Sequence, residues 1–379
     1  MTATAAPVTP ADTAAIEQLI AIWSATLKSE EPITADSNFF ELGGDSLLAV
    51  NLFLEIERTT GHHLPITAIY DAPTVAELAA LMAEETPAKF NPLVLLKEGG
   101  EGEPLFIVHG VGGTVFDLAP LGKAIESDGP VYAIQARGID GQDAPIASIH
   151  EMADYYVDAI REIAHGPYRL AGYSFGGMVA IEMARRLGAE NVETLILLDS
   201  FAHPQTWPKA SRTQVRAAKL ARQLRNKARN PRELFTLVFG KLLRRARPPG
   251  AQDPANDNRL VALRDWLGTV RADLPAPLRE ARIAGSKALL AYWPKPYAGK
   301  VTFLKARAFS DTFPMNPRAV WQHQVAGMDV RMLTGSHASI VNEDAATTGA
   351  AISELLAQKT RQPFAASVSG RAKLQLVQP

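Results

Sequence analysis

The spacing of apolar residues predicts helices throughout the first 85 residues of the chain. Residues 11–28 carry apolar residues at helical intervals. These residues form one face of an amphipathic helix: Ile16, Leu19, Ile20, Trp23 and Leu27. The same pattern predicts a helix from about Ser46 to Thr60 and another over residues 74–84, with Thr74 as its N-cap. We therefore expect the N-terminal part to be all-α.

Beyond residue 92, short apolar runs alternate with helical patterns. The predicted strands are Leu105–Val108, Val131–Gln135, Tyr168–Ala171, Thr194–Leu198, Val301–Lys305 and Val330–Leu333. Such alternation predicts a mostly parallel sheet with helices on both faces.

The same patterns predict the domain boundaries. A helical domain occupies 1–85, and residues 86–92, with two prolines, form a linker. A larger α/β domain covers 93–358, interrupted at about 201–290 by a helix-rich insertion, and residues 359–379 form a mobile tail.

Composition narrows the class of protein. Of the 379 residues, 47% are hydrophobic and 21% charged, as in globular proteins. The net charge of -1 conceals an acidic N-terminal part and a basic insertion. Residues 1–90 hold thirteen acids and three bases, and residues 209–247 hold thirteen bases and one acid.

Cysteine is absent, which excludes disulfides and thiolate chemistry, and we expect no metal. No segment resembles a membrane span or a signal peptide, so we expect a cytoplasmic protein without membrane contact.

One motif points to nucleophilic catalysis. Residues 172–176 read Gly-Tyr-Ser-Phe-Gly, between a predicted strand and a predicted helix. This is the pattern of the nucleophile elbow of α/β-hydrolases, where a tight turn exposes a serine hydroxyl. Ser174 is therefore the predicted nucleophile.

A serine nucleophile needs a base, and the base needs an orienting acid. His337 follows the strand Val330–Leu333 and has the expected place in the order Ser, Asp, His. Asp199, directly after a strand, is the favoured acid, and Asp311 is the alternative.

The oxyanion hole requires two backbone N–H groups. One is expected from Phe175, the residue after the nucleophile. The other is expected from Val111 in the glycine-rich loop 109–113, in which His109 is predicted to be a packed residue.

The N-terminal part carries a second motif, Phe39-Phe-Glu-Leu-Gly-Gly-Asp-Ser46-Leu-Leu, followed by a matching stretch at 65–78. It resembles the phosphopantetheine attachment motif of carrier proteins, and more closely the peptidyl or aryl carriers of nonribosomal peptide synthetases than polyketide acyl carriers. The resemblance implies a four-helix carrier domain with 4'-phosphopantetheine on Ser46. A helix N-terminus would favour that anion.

Residues 93–358 resemble the type I thioesterases that terminate such assembly lines, which are α/β-hydrolases with a mobile helical lid. An acid at Asp199 followed by the 201–290 insertion fits that layout, as do residues 294–301 and Gly335-Ser-His337. The basic lid and the tail depart from the pattern. The resemblance implies transfer of an acyl or peptidyl group from Ser46 to Ser174, then release by hydrolysis or cyclisation. It also implies a phosphopantetheinyl transferase and upstream synthetase domains as partners.

Other functions fit parts of the same sequence. The same residues could catalyse carbon–carbon bond formation, as in furanone- and quinone-forming relatives, or the chain could be a non-catalytic carrier-docking module. Nucleic-acid binding by 209–247 is not expected because aromatic residues are few there. Five lid arginines either attract the acidic carrier or form a solvated face: Arg222, Arg225, Arg229, Arg244 and Arg245.

Overall fold

The N-terminal part of the computed structural model is a small helical domain. The structure describes residues 10–29, 31–44, 46–62, 64, 68–83, 90–202, 206–227, 274–308, 310 and 313–360. Its first helices are α1 (Pro10–Leu27), α2 (Ser46–Thr60), α3 (Ala68–Asp71) and α4 (Val75–Ala83). Their apolar faces enclose a core around Trp23, Phe39 and Leu52, each 0% exposed. The predicted helical character of this region is confirmed.

Helix α4 begins at the predicted cap. The Thr74 hydroxyl accepts a hydrogen bond from the Glu77 N–H at 3.3 Å, and the Glu77 carboxylate accepts one from the Thr74 N–H at 3.0 Å. This reciprocal pair is a capping box, which satisfies two N–H groups at the start of the helix.

The larger part of the chain is built on one seven-stranded sheet in the order β1-β3-β2-β4-β5-β6-β7. Strand β1 runs antiparallel to β3, and all other neighbouring pairs are parallel. The strands are β1 (Leu93–Lys97), β2 (Leu105–Val108), β3 (Val131–Ile134), β4 (Tyr168–Tyr173), β5 (Val192–Leu198), β6 (Tyr297–Ala306) and β7 (Val325–Leu333).

Helices cover both faces of this sheet. They are α5 (Ala119–Ala124), α6 (Ile149–Arg161), α7 (Gly176–Leu187), α8 (Lys209–Lys227), α9 (Ala276–Ala291), α10 (Pro317–Trp321) and α11 (Ala345–Thr360). Helices α6, α7 and α9 contribute to the core on one face, and α5 and α11 to the core on the other. Strands β2 and β4 are buried along their whole length, as expected for central parallel strands. The predicted α/β-hydrolase class is confirmed.

All six predicted strands are present, but β1 was not predicted. Leu95 in this edge strand is 41% exposed, and the strand lacks the continuous burial of the central strands. Its pairing with β3 joins residues far apart in sequence, for example Leu93 and Ile134, which are 41 positions apart. Local periodicity does not report such pairing.

The predicted lid is described at both of its ends. Helix α8 follows β5 and helix α9 precedes β6, whereas residues 228–273 lie outside the described residues. Arg229, Arg244, Arg245 and the tail from residue 361 lie outside them as well, so their roles stay predictions. None of the helices in the described part of the chain is long and apolar enough to cross a membrane.

The helical domain contacts the α/β domain through a row of tilted aromatic rings. Tyr70 of α3 lies between Phe40 and Phe116, with its ring centroid 5.2 Å from each. The ammonium group of Lys123 on α5 lies 5.5 Å from the centroid of the Phe40 ring. Phe116 is only 8% exposed and packs into the helical domain's core cluster.

Candidate active site

Parallel strands bring the predicted catalytic residues to one edge of the sheet. Val111 follows β2, Ser174 follows β4, Asp199 follows β5, and His337 follows β7. Because these strands all run in the same direction, their carboxyl ends lie side by side. The topology therefore assembles one site from residues that are far apart in sequence.

The turn at Ser174 is tight and left-handed. Ser174 has a φ of 53°, which is uncommon for a residue with a side chain, and its N–H donates to the Leu198 carbonyl at 2.9 Å. A Cβ on Gly172 would lie 2.4 Å from the Gly176 oxygen, and one on Gly176 would lie 2.4 Å from the Val108 oxygen. Both glycines of the motif are therefore required by close backbone contacts.

Ser174, His337 and Asp199 form a continuous chain of hydrogen bonds. The Ser174 hydroxyl lies 3.0 Å from Nε2 of His337, and Nδ1 of His337 lies 2.9 Å from Oδ2 of Asp199. The His337 side chain is 27% exposed, whereas Asp199 is 0% exposed. The imidazole thus lies between a buried carboxylate and a hydroxyl at the surface of the site. The alternative acid, Asp311, lies outside the described residues.

Asp199 is held by its backbone as well as by its side chain. Its φ is 45°, again in the left-handed region, and its N–H donates to the Leu304 carbonyl of β6 at 2.9 Å. Its Oδ1 atom forms an ion pair with the Lys305 ammonium at 2.8 Å, and Lys305 is also 0% exposed. Lys305 was not among the site residues predicted from the sequence. The sequence feature that could have identified Lys305 is a charged side chain at the end of the predicted strand Val301–Lys305 that lies nearest the site.

The two expected oxyanion donors lie beside His109. The His109 ring stacks on the Phe175 ring at 5.9 Å, and its Nδ1–H donates to the Gly110 carbonyl at 2.5 Å. Its Nε2 accepts from the Tyr156 hydroxyl at 2.7 Å, and burial lowers the pKa of His109 to about 4. His109 is therefore a neutral, packed residue. It contacts Gly110, which directly precedes one expected oxyanion donor, Val111, and it contacts Phe175, which is the other.

Helix α9 covers the same loop. A Cβ on Gly285 would lie 3.1 Å from the Val111 carbonyl oxygen and 3.9 Å from the Phe175 ring. The end of α9 is fixed to α7 because the Tyr292 hydroxyl donates to the Glu182 carboxylate at 2.8 Å. Within the described part of the chain, neither the Val111 N–H nor the Phe175 N–H donates to a protein acceptor.

The predicted attachment residue, Ser46, is the first residue of α2, a helix of 15 residues. The N–H groups in the first turn of a helix lack intrahelical partners and favour an anion. The preceding turn depends on its glycines: Gly43 has a φ of 80°, and a Cβ on Gly44 would lie 2.3 Å from the Phe39 ring. The position of Ser46 fits a phosphodiester attachment.

Two family models match the chain. The model described as "Thioesterase domain" matches residues 103–356, which is more than half of the chain. The model described as "Phosphopantetheine attachment site" matches residues 17–82. These matches agree with the two resemblances inferred from the sequence.

Curated relatives are much longer than this chain. Indigoidine synthase of Dickeya dadantii is 42% identical over 184 residues, which cover 48% of this chain and 12% of that protein. Malpibaldin synthetase of Mortierella alpina is 39% identical over 190 residues, 48% of this chain and 3% of that protein. The crystal structure of holo-AB3403, a four-domain nonribosomal peptide synthetase bound to AMP and glycine, aligns with a TM-score of 0.52 at 24% identity. That alignment covers 96% of this chain and 27% of the other, and it supports the fold.

Proposed function

Since the chain belongs to the thioesterase domain family and carries a phosphopantetheine attachment domain in front of it, we propose that it is a carrier-tethered serine thioesterase. It takes an acyl or peptidyl group delivered from Ser46, transfers it to Ser174 and releases it by hydrolysis or cyclisation. The observation that supports this proposal most directly is the hydrogen-bond chain from Ser174 through His337 to Asp199, with lengths of 3.0 and 2.9 Å.

Acyl transfer begins at the serine hydroxyl. Nε2 of His337 accepts the proton from Ser174 while the serine oxygen bonds to the carbonyl carbon of the substrate. Asp199 accepts the Nδ1–H hydrogen bond, which keeps the ring oriented and stabilises the imidazolium. The N–H groups of Val111 and Phe175 donate to the developing oxyanion. His337 then returns the proton to the leaving group, and the acyl group remains on the Ser174 oxygen.

Release repeats these roles with a second nucleophile. His337 accepts a proton from water or from a hydroxyl or amine within the substrate, which then attacks the acyl carbon. The Ser174 oxygen departs and recovers its proton from His337. Water gives a free acid, and an internal nucleophile gives a cyclic product.

The carrier domain supplies the substrate to this site. When bound to Ser46, 4'-phosphopantetheine provides a thiol that carries the acyl group as an activated thioester. The first turn of α2 would hold its phosphate at the helix N-terminus. Because carrier and hydrolase domains share one chain, their encounter is intramolecular, so a contact of modest affinity brings them together and its loss slows delivery.

The proposed partners follow from this arrangement. A phosphopantetheinyl transferase would modify Ser46, and upstream synthetase domains would load the carrier. The length of the curated relatives is consistent with such upstream domains. The comparisons do not favour the alternatives of a carbon–carbon bond-forming thioesterase or a non-catalytic docking module.

Product release by the loaded holo-protein tests the proposal. A phosphopantetheinyl transferase uses an acyl-coenzyme A analogue to attach the acyl-phosphopantetheine group to Ser46 of the full chain. The released acid or cyclic product is then measured by mass spectrometry. We expect release by the wild-type protein and accumulation of the loaded carrier in Ser174→Ala. A fluorophosphonate probe should label the wild-type protein and not Ser174→Ala.

Ser46→Ala provides the matched control because it leaves the hydrolase domain unaltered. It should lose release of tethered substrate but keep fluorophosphonate labelling and hydrolysis of a free N-acetylcysteamine thioester. Equal labelling of wild-type and Ser174→Ala proteins would reject Ser174 as the nucleophile.

A further inference from the structure

The buried lysine beside the proposed catalytic acid has no part in the mechanism above. Lys305 is the penultimate residue of β6, and its side chain is 0% exposed. Its ammonium group lies 2.8 Å from Oδ1 of Asp199 and donates to the Ala306 carbonyl at 2.7 Å. It also lies 5.8 Å from the centroid of the Phe201 ring. All three contacts orient the same charged group, the Lys305 ammonium, inside the protein.

A lysine in this position carries a large desolvation cost. Taking an ammonium out of water is energetically unfavourable, so a buried lysine persists only with a well-placed partner. Among the described residues, Asp199 is the carboxylate within ion-pair distance of Lys305. The two charges therefore depend on each other, since the Asp199 carboxylate is buried to the same extent.

The two oxygens of Asp199 have separate partners. Oδ1 faces Lys305 at 2.8 Å, and Oδ2 accepts the hydrogen bond from His337 at 2.9 Å. A carboxylate bound on one oxygen loses rotation about its Cβ–Cγ bond. The second oxygen is thereby fixed toward the imidazole, in the orientation that a general base requires.

Neighbouring strands hold this arrangement from both sides. The Asp199 N–H bonds to the Leu304 carbonyl, directly before Lys305. Residue 305 is paired in register with Met332 of β7, the strand that leads to the His337 loop. Acid, lysine and histidine are thus connected through three adjacent strands.

We propose that Lys305 is a positioning residue of the thioesterase reaction, which holds the Asp199 carboxylate aimed at His337. This inference rests on the proposed function, because it assigns to Lys305 an effect on the rate of Ser174 acylation. Lys305 acts through Asp199 and does not contact the substrate. A lysine that only stabilises the fold would affect the rate independently of Asp199.

A double-mutant cycle on the full-length protein separates these roles. The rate of Ser174 labelling by a fluorophosphonate is measured for Lys305→Met in the wild-type and Asp199→Asn backgrounds. General-base catalysis is worth about 10²–10⁴-fold, so we expect Lys305→Met to slow labelling by about tenfold or more in the wild-type background. In the Asp199→Asn background its effect should fall to within about twofold, because there is no carboxylate left to orient. The same factor in both backgrounds would overturn the proposal.

Two further variants make the result specific. Lys300→Met removes an exposed lysine from the same strand and should leave the labelling rate unchanged. Lys305→Gln leaves a polar N–H group beside Oδ1 and should recover part of the rate lost in Lys305→Met. Circular dichroism melting checks that each variant is folded at the assay temperature.

The failures of the two proposals are distinguishable. If wild-type labelling is normal while Lys305→Met has no effect, the positioning role is wrong and the proposed function stands. If the wild-type protein is not labelled at Ser174, the proposed function itself fails. If neither Lys305→Met nor Lys305→Gln folds, the residue is needed for stability and the positioning role is rejected.

Discussion

Tyr173 donates a hydrogen bond from its hydroxyl to the backbone carbonyl of His337 at 2.9 Å, and its ring stacks on the imidazole with centroids 5.2 Å apart. Tyr173 is also the residue directly before Ser174. One rigid side chain at the end of β4 therefore links the serine turn to the loop that carries the histidine. Burial raises the pKa of Tyr173 well above its usual value, so the hydroxyl remains a donor through the alkaline range.

Tyr173→Phe should slow the reaction without weakening substrate binding. The phenyl ring keeps the stack on His337 but loses a hydrogen bond worth about 1 kcal/mol, which corresponds to about a fivefold lower kcat. Steady-state hydrolysis of an N-acetylcysteamine thioester measures kcat and KM separately. Tyr132→Phe, on strand β3, is the control and should behave like the wild-type protein. A raised KM with unchanged kcat would contradict the proposed role of Tyr173.

The identity of the acid can be decided by substituting both candidates. Asp199→Asn should lower kcat by about 10³–10⁴-fold, because an amide cannot stabilise the imidazolium or enforce the required tautomer. Asp311→Asn should stay within about twofold of the wild-type rate. Hydrolysis of the free thioester under single-turnover conditions is the measurement. A larger loss in Asp311→Asn would reverse the assignment.

Gly285→Ala should separate activity from stability. Alanine is favoured over glycine in a helix interior by about 1 kcal/mol, so α9 should not be weakened. Its methyl group, however, would lie 3.1 Å from the Val111 carbonyl oxygen and would displace the loop that carries an expected oxyanion donor. We expect about a tenfold lower kcat, since loss of a whole donor costs about 10²–10³-fold. The thermal midpoint should be unchanged or higher.

Lys287→Ala is the matched control for that substitution because Lys287 is exposed on the same helix. It should change neither kcat nor the thermal midpoint appreciably. A Gly285→Ala protein with lower stability and unchanged kcat would show that α9 adjusts without moving the oxyanion loop.

The sequence indicates the candidate residues of the site more readily than the residues that support them. Ser174, Asp199 and His337 can be proposed from the sequence because each follows an apolar strand, and the parallel topology brings these strand ends together. The glycine motifs were equally informative because close backbone contacts at Gly172 and Gly176 leave no room for a side chain.

The supporting residues have no comparable local signal. Tyr173 occupies a variable position of the elbow motif, and its bond to His337 joins residues 164 positions apart. Lys305 contacts Asp199 only because β6 lies next to β5 in the sheet. The packing of Phe116 against Tyr70 depends on how two domains meet. Each of these contacts is set by tertiary structure.

Phe116→Ala should affect carrier-bound substrate and free thioester substrate differently. Its ring packs on Tyr70 of the helical domain, and aromatic contacts at the centre of an interface contribute about 1–2 kcal/mol. We therefore expect about tenfold slower release from the loaded carrier and unchanged kcat/KM for a free N-acetylcysteamine thioester. Tyr70→Ala, on the other side of the contact, should give the same pattern.

Ile163→Ala is the control for the interface variants because Ile163 is exposed on the α/β domain and lies outside the aromatic contact. It should release tethered and free substrates at wild-type rates. Equal slowing of both substrates in Phe116→Ala would assign Phe116 to the catalytic loop instead of the domain contact.

His109 should make the protein less stable in mild acid. Its pKa is about 4 in the fold and about 6.5 in the unfolded chain, so above pH ~6.5 both states are neutral and His109 adds no pH dependence. Below that pH the unfolded chain takes up a proton that the folded protein does not, and the free energy of unfolding falls. Between pH ~7.5 and ~5 the loss is about 2 kcal/mol.

Urea unfolding at both pH values measures this loss of stability, and His109→Asn should lack the part that is due to His109. His165→Asn, which removes an exposed histidine, should retain it. Identical pH dependence in His109→Asn and the wild-type protein would mean that His109 binds a proton equally well in both states, contrary to its contacts with Gly110 and Tyr156.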